Sequence, residues 1–167
     1  LTTPIHVVFI GLLVGASTRL LARVATLQAL TIVFGFVGAT LATPLNWVFY
    51  LLGGAAFGGV VYHFYRDFES LTGGQTDGIA ALFRKLRSFV VVLWLIYPVI
   101  WLLGQPGLAV MDTETAALVV TYIDVVAKAG FGLIALNDYV NLAELDADEA
   151  TIQSSADLAG EDPTAAD

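Results

Sequence analysis

Polar interruptions divide the chain into five apolar runs, and the length of those runs predicts helices rather than strands. The first extends from Leu1 to about Gly15, the second from about Leu21 to Ala42, the third from about Pro44 to Phe68, the fourth from about Ile79 to Leu103 and the fifth from about Glu114 to Ala135. At about 1.5 Å per helical residue, each of the last four is long enough to cross roughly 30 Å of hydrocarbon. The first is too short, and reads as the latter part of a helix that begins earlier. Gly104-Gln105-Pro106-Gly107 is a helix stop followed by a turn, and Gly73-Gly74-Gln75-Thr76-Asp77-Gly78 is expected to be a flexible loop. No internal repeat is evident.

The pattern implies an all-α transmembrane bundle, and composition agrees. Of the 167 residues, 57% are apolar and 13% charged, with mean hydropathy +0.80; a soluble domain carries about a quarter charged residues. The formal charge of −8 describes one end only. From Asp138 to Asp167 there are nine acids and no base, and without them −8 becomes +1. Nucleic-acid binding therefore gains no support. Two parts are expected: a membrane bundle over 1–137, and an acidic, disordered cytoplasmic tail over 138–167. Arg19 and Arg23 flank the first link; Arg66, Arg84, Lys85 and Arg87 flank the third; the second and fourth links carry no base. Basic links face the cytoplasm, so the runs alternate without conflict and the tail is cytoplasmic. The chain is expected in the cell membrane as a multi-pass protein, in contact with lipid and compatible with an oligomer. There is no cysteine, and His6 and His63 are too few for a metal site without carboxylate help. The opening Leu1-Thr2-Thr3-Pro4 has neither an n-region nor a cleavage site, so no signal peptide is expected.

Six of the seven bases lie at helix ends or in loops; the seventh, Lys128, falls near the middle of the fifth run. Asp124 precedes it by four residues, which places both on one helix face. Ionisable groups at membrane depth cost at least about 2.5 kcal/mol and normally serve a function; the alternative is an ion pair that fixes helix packing. On the fourth run Trp94, Tyr97 and Trp101 share a face, beside Pro98, which removes a backbone hydrogen bond and bends the helix. An aromatic face opposite a buried amine suits a flat conjugated ligand held as a Schiff base, although aromatic packing alone also produces such a stripe.

Together these motifs resemble haloarchaeal rhodopsins. Phe83-Arg84-Lys85-Leu86-Arg87 and Leu93 through Gly104 resemble the sixth helix, Ile123 through Gly132 the seventh, and Leu1-Thr2-Thr3-Pro4 the latter half of the third. The resemblance covers roughly 1–137 and implies a seven-helix fold, of which this chain holds the end of the third helix and the fourth to seventh. It implies all-trans retinal covalently attached to Lys128 as a protonated Schiff base, with Asp124 as one counterion. Trp94 and Trp101 would enclose the polyene, Tyr97 would hydrogen-bond toward Asp124, Phe57 and Tyr50 would lie beside the ring, and Gly35 would give the ring room. Thr3 and Gln28 match a pair that joins the third and fourth helices by a hydrogen bond, with Gln28 standing where the family has Asp or Asn. The family's arginine and its principal counterion on the third helix would precede Leu1.

Within the family the resemblance is strongest to sensory rhodopsin II, photoreceptors that signal to a membrane transducer and are not enzymes. Outward proton pumps place an Asp on the third helix where this chain has Phe9, and Glu residues where it has Pro106 and Ala116. A Phe cannot donate a proton, so recovery should wait on protons from bulk water, which favours a sensor. Tyr122 matches a residue that faces the transducer. Ala127 stands where sensory members carry Thr, as in pumps, and Asp112 replaces a transducer-binding Thr. The alternative is a light-driven proton pump of the bacteriorhodopsin type. His6 occupies a position near the retinal that is usually apolar.

Overall fold

Each apolar run becomes a helix in the computed structural model, which describes residues 3–105 and 107–160. The elements are α1 (Thr3–Leu13), α2 (Thr18–Thr40), α3 (Leu45–His63), α4 (Asp77–Leu103) and α5 (Thr113–Gly160). Among the described residues all regular structure is helical. Side chains at the breaks cap the helices. Ser17 Oγ accepts from Leu20 N at 3.4 Å and Thr76 Oγ1 from Ile79 N at 3.4 Å. Asp112 accepts from Thr115 N at 2.8 Å and from the Thr115 hydroxyl at 2.6 Å to open α5. The Thr115 hydroxyl and backbone hold the Asp112 carboxyl below its ordinary range.

Three boundaries differ from the sequence pattern. Beyond His63, the third helix passes through a π-helical turn, Phe64–Phe68, and then through Glu69–Leu71 and a 3-10 turn, Thr72–Gly74. Within this turn Phe64 and Phe68 are both fully buried, with rings 5.5 Å apart. The flexible loop expected at Gly73–Gly78 is correspondingly short, because Thr72–Gly74 continue the coil, Thr76 caps α4, and Asp77 and Gly78 already belong to it. The acidic segment expected to be disordered is helical from Asp138 to Gly160. Its Ala, Leu, Glu and Asp residues meet no Gly or Pro before Gly160, so nothing in that stretch breaks the helix. Residues 161–167 of the tail lie outside the described residues.

The packed core gathers at the end bearing the basic links. Val7 and Ile10 of α1, Val24 of α2, Val60, Phe64 and Phe68 at the end of the third helix, and Phe83 and Leu86 of α4 are fully buried. Ion pairs bind this end together. Glu69 accepts from Arg84 at 2.8 Å and also from Arg87, whose guanidinium lies 4.1 Å over the Tyr65 ring. Lys85 reaches Asp138 of α5 at 2.5 Å. Outward faces are apolar: Phe36 is 70% and Leu118 73% exposed. Among the described residues, four segments have the length and composition to cross a membrane: Thr18–Thr40, Leu45–Gly74, Asp77–Leu103 and Thr113–Asn141. Lipid, not water, suits these faces.

At the opposite end the chain turns sharply between α4 and α5. Leu108 N donates to Leu102 O at 2.8 Å, and Val110 N to Leu103 O at 2.9 Å. A Cβ on Gly107 would stand 2.3 Å from Leu102 O. Gly107→Ala should therefore destabilise the protein by roughly 1–3 kcal/mol, read as a lower thermal midpoint in detergent. Pro106, expected in this stop, lies outside the described residues.

Candidate functional site

The halves of the helices away from the basic links surround a cavity of about 1100 Å³, and Phe57 and Trp94 belong both to its wall and to the core. Its lining brings together nine of the residues singled out in the sequence: Thr3, Gly35, Tyr50, Phe57, Trp94, Tyr97, Trp101, Asp124 and Lys128. Four helices and the start of α1 contribute, so the site exists only once the bundle packs.

Charge sits on α5. Lys128 Nζ donates to Asp124 Oδ2 at 2.7 Å, as the four-residue spacing requires. The Tyr97 hydroxyl of α4 donates to the other carboxylate oxygen, Oδ1. Asp124 thus joins an amine on its own helix to a phenol on the next. The two charged side chains are 50% and 44% exposed, so the cavity is open beside them.

The remaining wall is aromatic. Tyr50 stacks on Trp101 with centroids 4.4 Å apart and planes at 22°, and its hydroxyl donates to Pro98 O at 3.3 Å. Trp47 meets both rings edge-on, at 5.8 and 5.6 Å. Trp47 was not marked by any motif in the sequence, although its spacing of three from Tyr50 places both on one face. Trp94 and Phe57 are both buried at the cavity. At Gly35 an added Cβ would meet nothing within 4 Å, so open space adjoins this backbone.

One contact implied by the resemblance does not form. Gln28 is buried at the cavity, but its Oε1 has no hydrogen-bond partner, and no bond joins it to Thr3. Tyr122 lies 70% exposed on the outer face of α5, beside Val125 and Leu118 and away from the cavity. Ala116 lines the cavity and Ala127 is buried. His6 and Phe9 of α1 pack on Phe131 of α5, at 4.4 Å and 5.5 Å between centroids.

A helical membrane bundle that brings an amine, a carboxylate and an indole stacked on a phenol to one cavity defines a narrow class of protein. The sequence model described as bacteriorhodopsin-like protein matches residues 1–142, and the chain belongs to that family of multi-pass membrane proteins. It is 48% identical over 166 residues to sensory rhodopsin-2 of Haloarcula vallismortis, a match covering 99% of this chain and 66% of the relative. Identity to sensory rhodopsin-2 of Natronomonas pharaonis is 39% over 137 residues, covering 82% and 57%. Identity to bacteriorhodopsin of Halobacterium salinarum is 31% over 156 residues, covering 93% and 60%. The chain thus spans between 57% and 66% of the length of these relatives. Among solved structures, cyanorhodopsin from Calothrix sp. NIES-2098 superposes with a TM-score of 0.80 at 30% identity, over 83% of this chain and 61% of that one.

Proposed function

We propose that the protein is a retinal-binding photosensor of the membrane that signals light to a membrane-embedded transducer. The observation that carries this reading is the Lys128 amine at the edge of an aromatic cavity of about 1100 Å³, with the Asp124 carboxylate 2.7 Å away. The residues present fit all-trans retinal. The lining is mostly apolar, the Tyr50–Trp101 stack and Trp94 provide flat surfaces, and Gly35 leaves free space. Lys128 would hold the retinal covalently as a Schiff base, and the bound chromophore would supply light-driven isomerisation.

The chain's own residues do the rest. Asp124 stabilises positive charge on the Lys128 nitrogen, because an opposite charge within about 4–6 Å favours the charged form. Tyr97 donates to Asp124 and so fixes its orientation. Trp94, Trp101 and Phe57 line the cavity and would limit how a flat ligand lies in it. Phe9, packed edge-on against Phe131, offers no proton to the cytoplasmic side of Lys128. Recovery then depends on external protons, which prolongs the activated state and suits signalling.

The open side of the cavity supports a further part of this proposal. The complete protein has seven helices, of which this chain supplies the end of the third and the fourth to seventh in residues 1–137; the earlier helices would cover Asp124 and Lys128. Residues 138–167 form the acidic cytoplasmic extension. Tyr122, outward on α5, is where a transducer would pack. A light-driven proton pump is the second reading, favoured by the buried Ala127 and by the 31% identity to bacteriorhodopsin.

Two measurements on the full-length protein in liposomes test the proposal. All-trans retinal should produce a visible band, and continuous light should produce no steady proton current. No band would refute retinal binding, and a sustained current would replace the sensor with the pump. Asp124→Asn leaves the Lys128 cation without its carboxylate, so the band should shift and should bleach at a lower pH than in the wild type. A spectral pH titration unchanged in both respects would reduce Asp124 to a packing role.

A further inference from the structure

The unassigned ionisable group at the edge of this site is His6. Its imidazole stacks on the Phe131 ring at 4.4 Å, with planes at 26°, and lies 6.5 Å from the Trp94 ring. Trp94 in turn lines the cavity, so His6 stands just behind the cavity wall. His6 Nδ1 is buried with no hydrogen-bond partner. A buried polar atom of this kind is costly, and a core histidine kept only for packing normally has its nitrogens satisfied.

Position along the bundle axis gives the orphan nitrogen a direction. On α5, which runs toward the cytoplasm, Phe131 lies three residues beyond Lys128, about 4.5 Å further along the helix and on a neighbouring part of its face. On α1, which runs the same way, Phe9 follows His6 by three residues. From the cytoplasm inward the order is therefore Phe9, His6, Lys128, with Phe131 touching both α1 rings. Asp124 of α5 is bonded to Lys128 and Tyr97, Arg84, Lys85 and Arg87 of α4 are engaged by Glu69 and Asp138, and Arg19 and Arg23 lie at the exposed start of α2. From α4, the ring facing His6 is that of Trp94.

We propose that His6 is the relay through which cytoplasmic protons reach Lys128 Nζ, an inference that rests on Lys128 being the retinal-bearing amine. One ring nitrogen takes a proton from water entering past Phe9. The resulting imidazolium passes a proton to the Lys128 nitrogen after light has removed one, and the ring returns to its neutral form. Only N–H and O–H bonds change, and charge is conserved. Because His6 is refilled from bulk water, the relay speeds proton entry without removing its dependence on pH. It therefore adds to the sensor reading rather than opposing it.

The test uses the full-length protein. After a flash, recovery in His6→Leu and His6→Gln should be slower than in the wild type by about tenfold or more, and added azide should restore both. Gln keeps polarity and hydrogen bonding but cannot carry a proton at neutral pH, so wild-type recovery in His6→Gln would show a structural role and overturn the relay. The second readout needs no chromophore. In retinal-free protein, the ¹⁵N resonances of the His6 ring should titrate with pH, and the midpoint should move when Lys128→Met removes the neighbouring charge. A ring that does not titrate, or that ignores Lys128→Met, also overturns the relay. If the wild type forms its visible band and these tests fail, only the relay falls; if no band forms, the function itself is wrong and the relay goes with it.

Discussion

Lys128→Arg in the full-length protein should abolish the visible absorption band while leaving the protein folded and in the membrane. The substitution keeps a positive charge four residues from Asp124, so the ion pair that now spans 2.7 Å can still form. A guanidinium, however, stays protonated and does not condense with an aldehyde as a primary amine does. Charge and chemistry are thus separated: if Lys128 only fixes packing, Arg is a mild change, and if it carries the chromophore, colour is lost completely. The other bases lie at helix ends or in the links, and Arg84, Lys85 and Arg87 are engaged by Glu69 and Asp138 at the far end of the bundle. None can take over attachment. Absorbance after adding all-trans retinal reads the result, and circular dichroism checks the fold.

Phe9→Asp carries the second largest expected effect. Phe9 is 40% exposed and meets the edge of Phe131, on the cytoplasmic side of the site. A carboxyl introduced into this apolar surrounding stays protonated near neutrality, because leaving water disfavours its charged form. It would then hold a proton ready for Lys128, accelerating recovery by about a hundredfold and freeing it from bulk pH. In the wild type, recovery should slow as pH rises and quicken with azide. Flash photolysis distinguishes the cases. Fast, pH-independent wild-type recovery would mean that a proton reservoir already exists inside the bundle, and the pump reading would then replace the sensor.

Much of this was legible in the sequence, for identifiable reasons. Polar breaks located the helices because a membrane helix must bury its backbone polar groups in its own hydrogen bonds. The Asp124–Lys128 pair was legible because helical spacing alone puts residues four apart on one face. The meeting of Tyr97 with Asp124 followed only from the resemblance, since no periodicity on one helix says which neighbour it faces. The π-helical turn at Phe64–Phe68 was not legible, because nothing in the local residue pattern marks it. The acidic segment looked disordered by charge, yet helix propensity carries the backbone on to Gly160. Trp47 escaped notice because its role depends on α3 lying against α4. The Thr3–Gln28 bond implied by the resemblance is not among the hydrogen bonds of the described residues, where Gln28 Oε1 stays unpartnered.

The central claim is that Lys128 bears the chromophore, and chemical trapping tests it most directly. Full-length protein would be loaded with all-trans retinal, reduced with borohydride under illumination to make the linkage permanent, digested and sequenced by mass spectrometry. A retinyl adduct is expected on the peptide containing Lys128 and on no other lysine. An adduct on Lys85, or a visible pigment whose Lys128 peptide is unmodified, would contradict it.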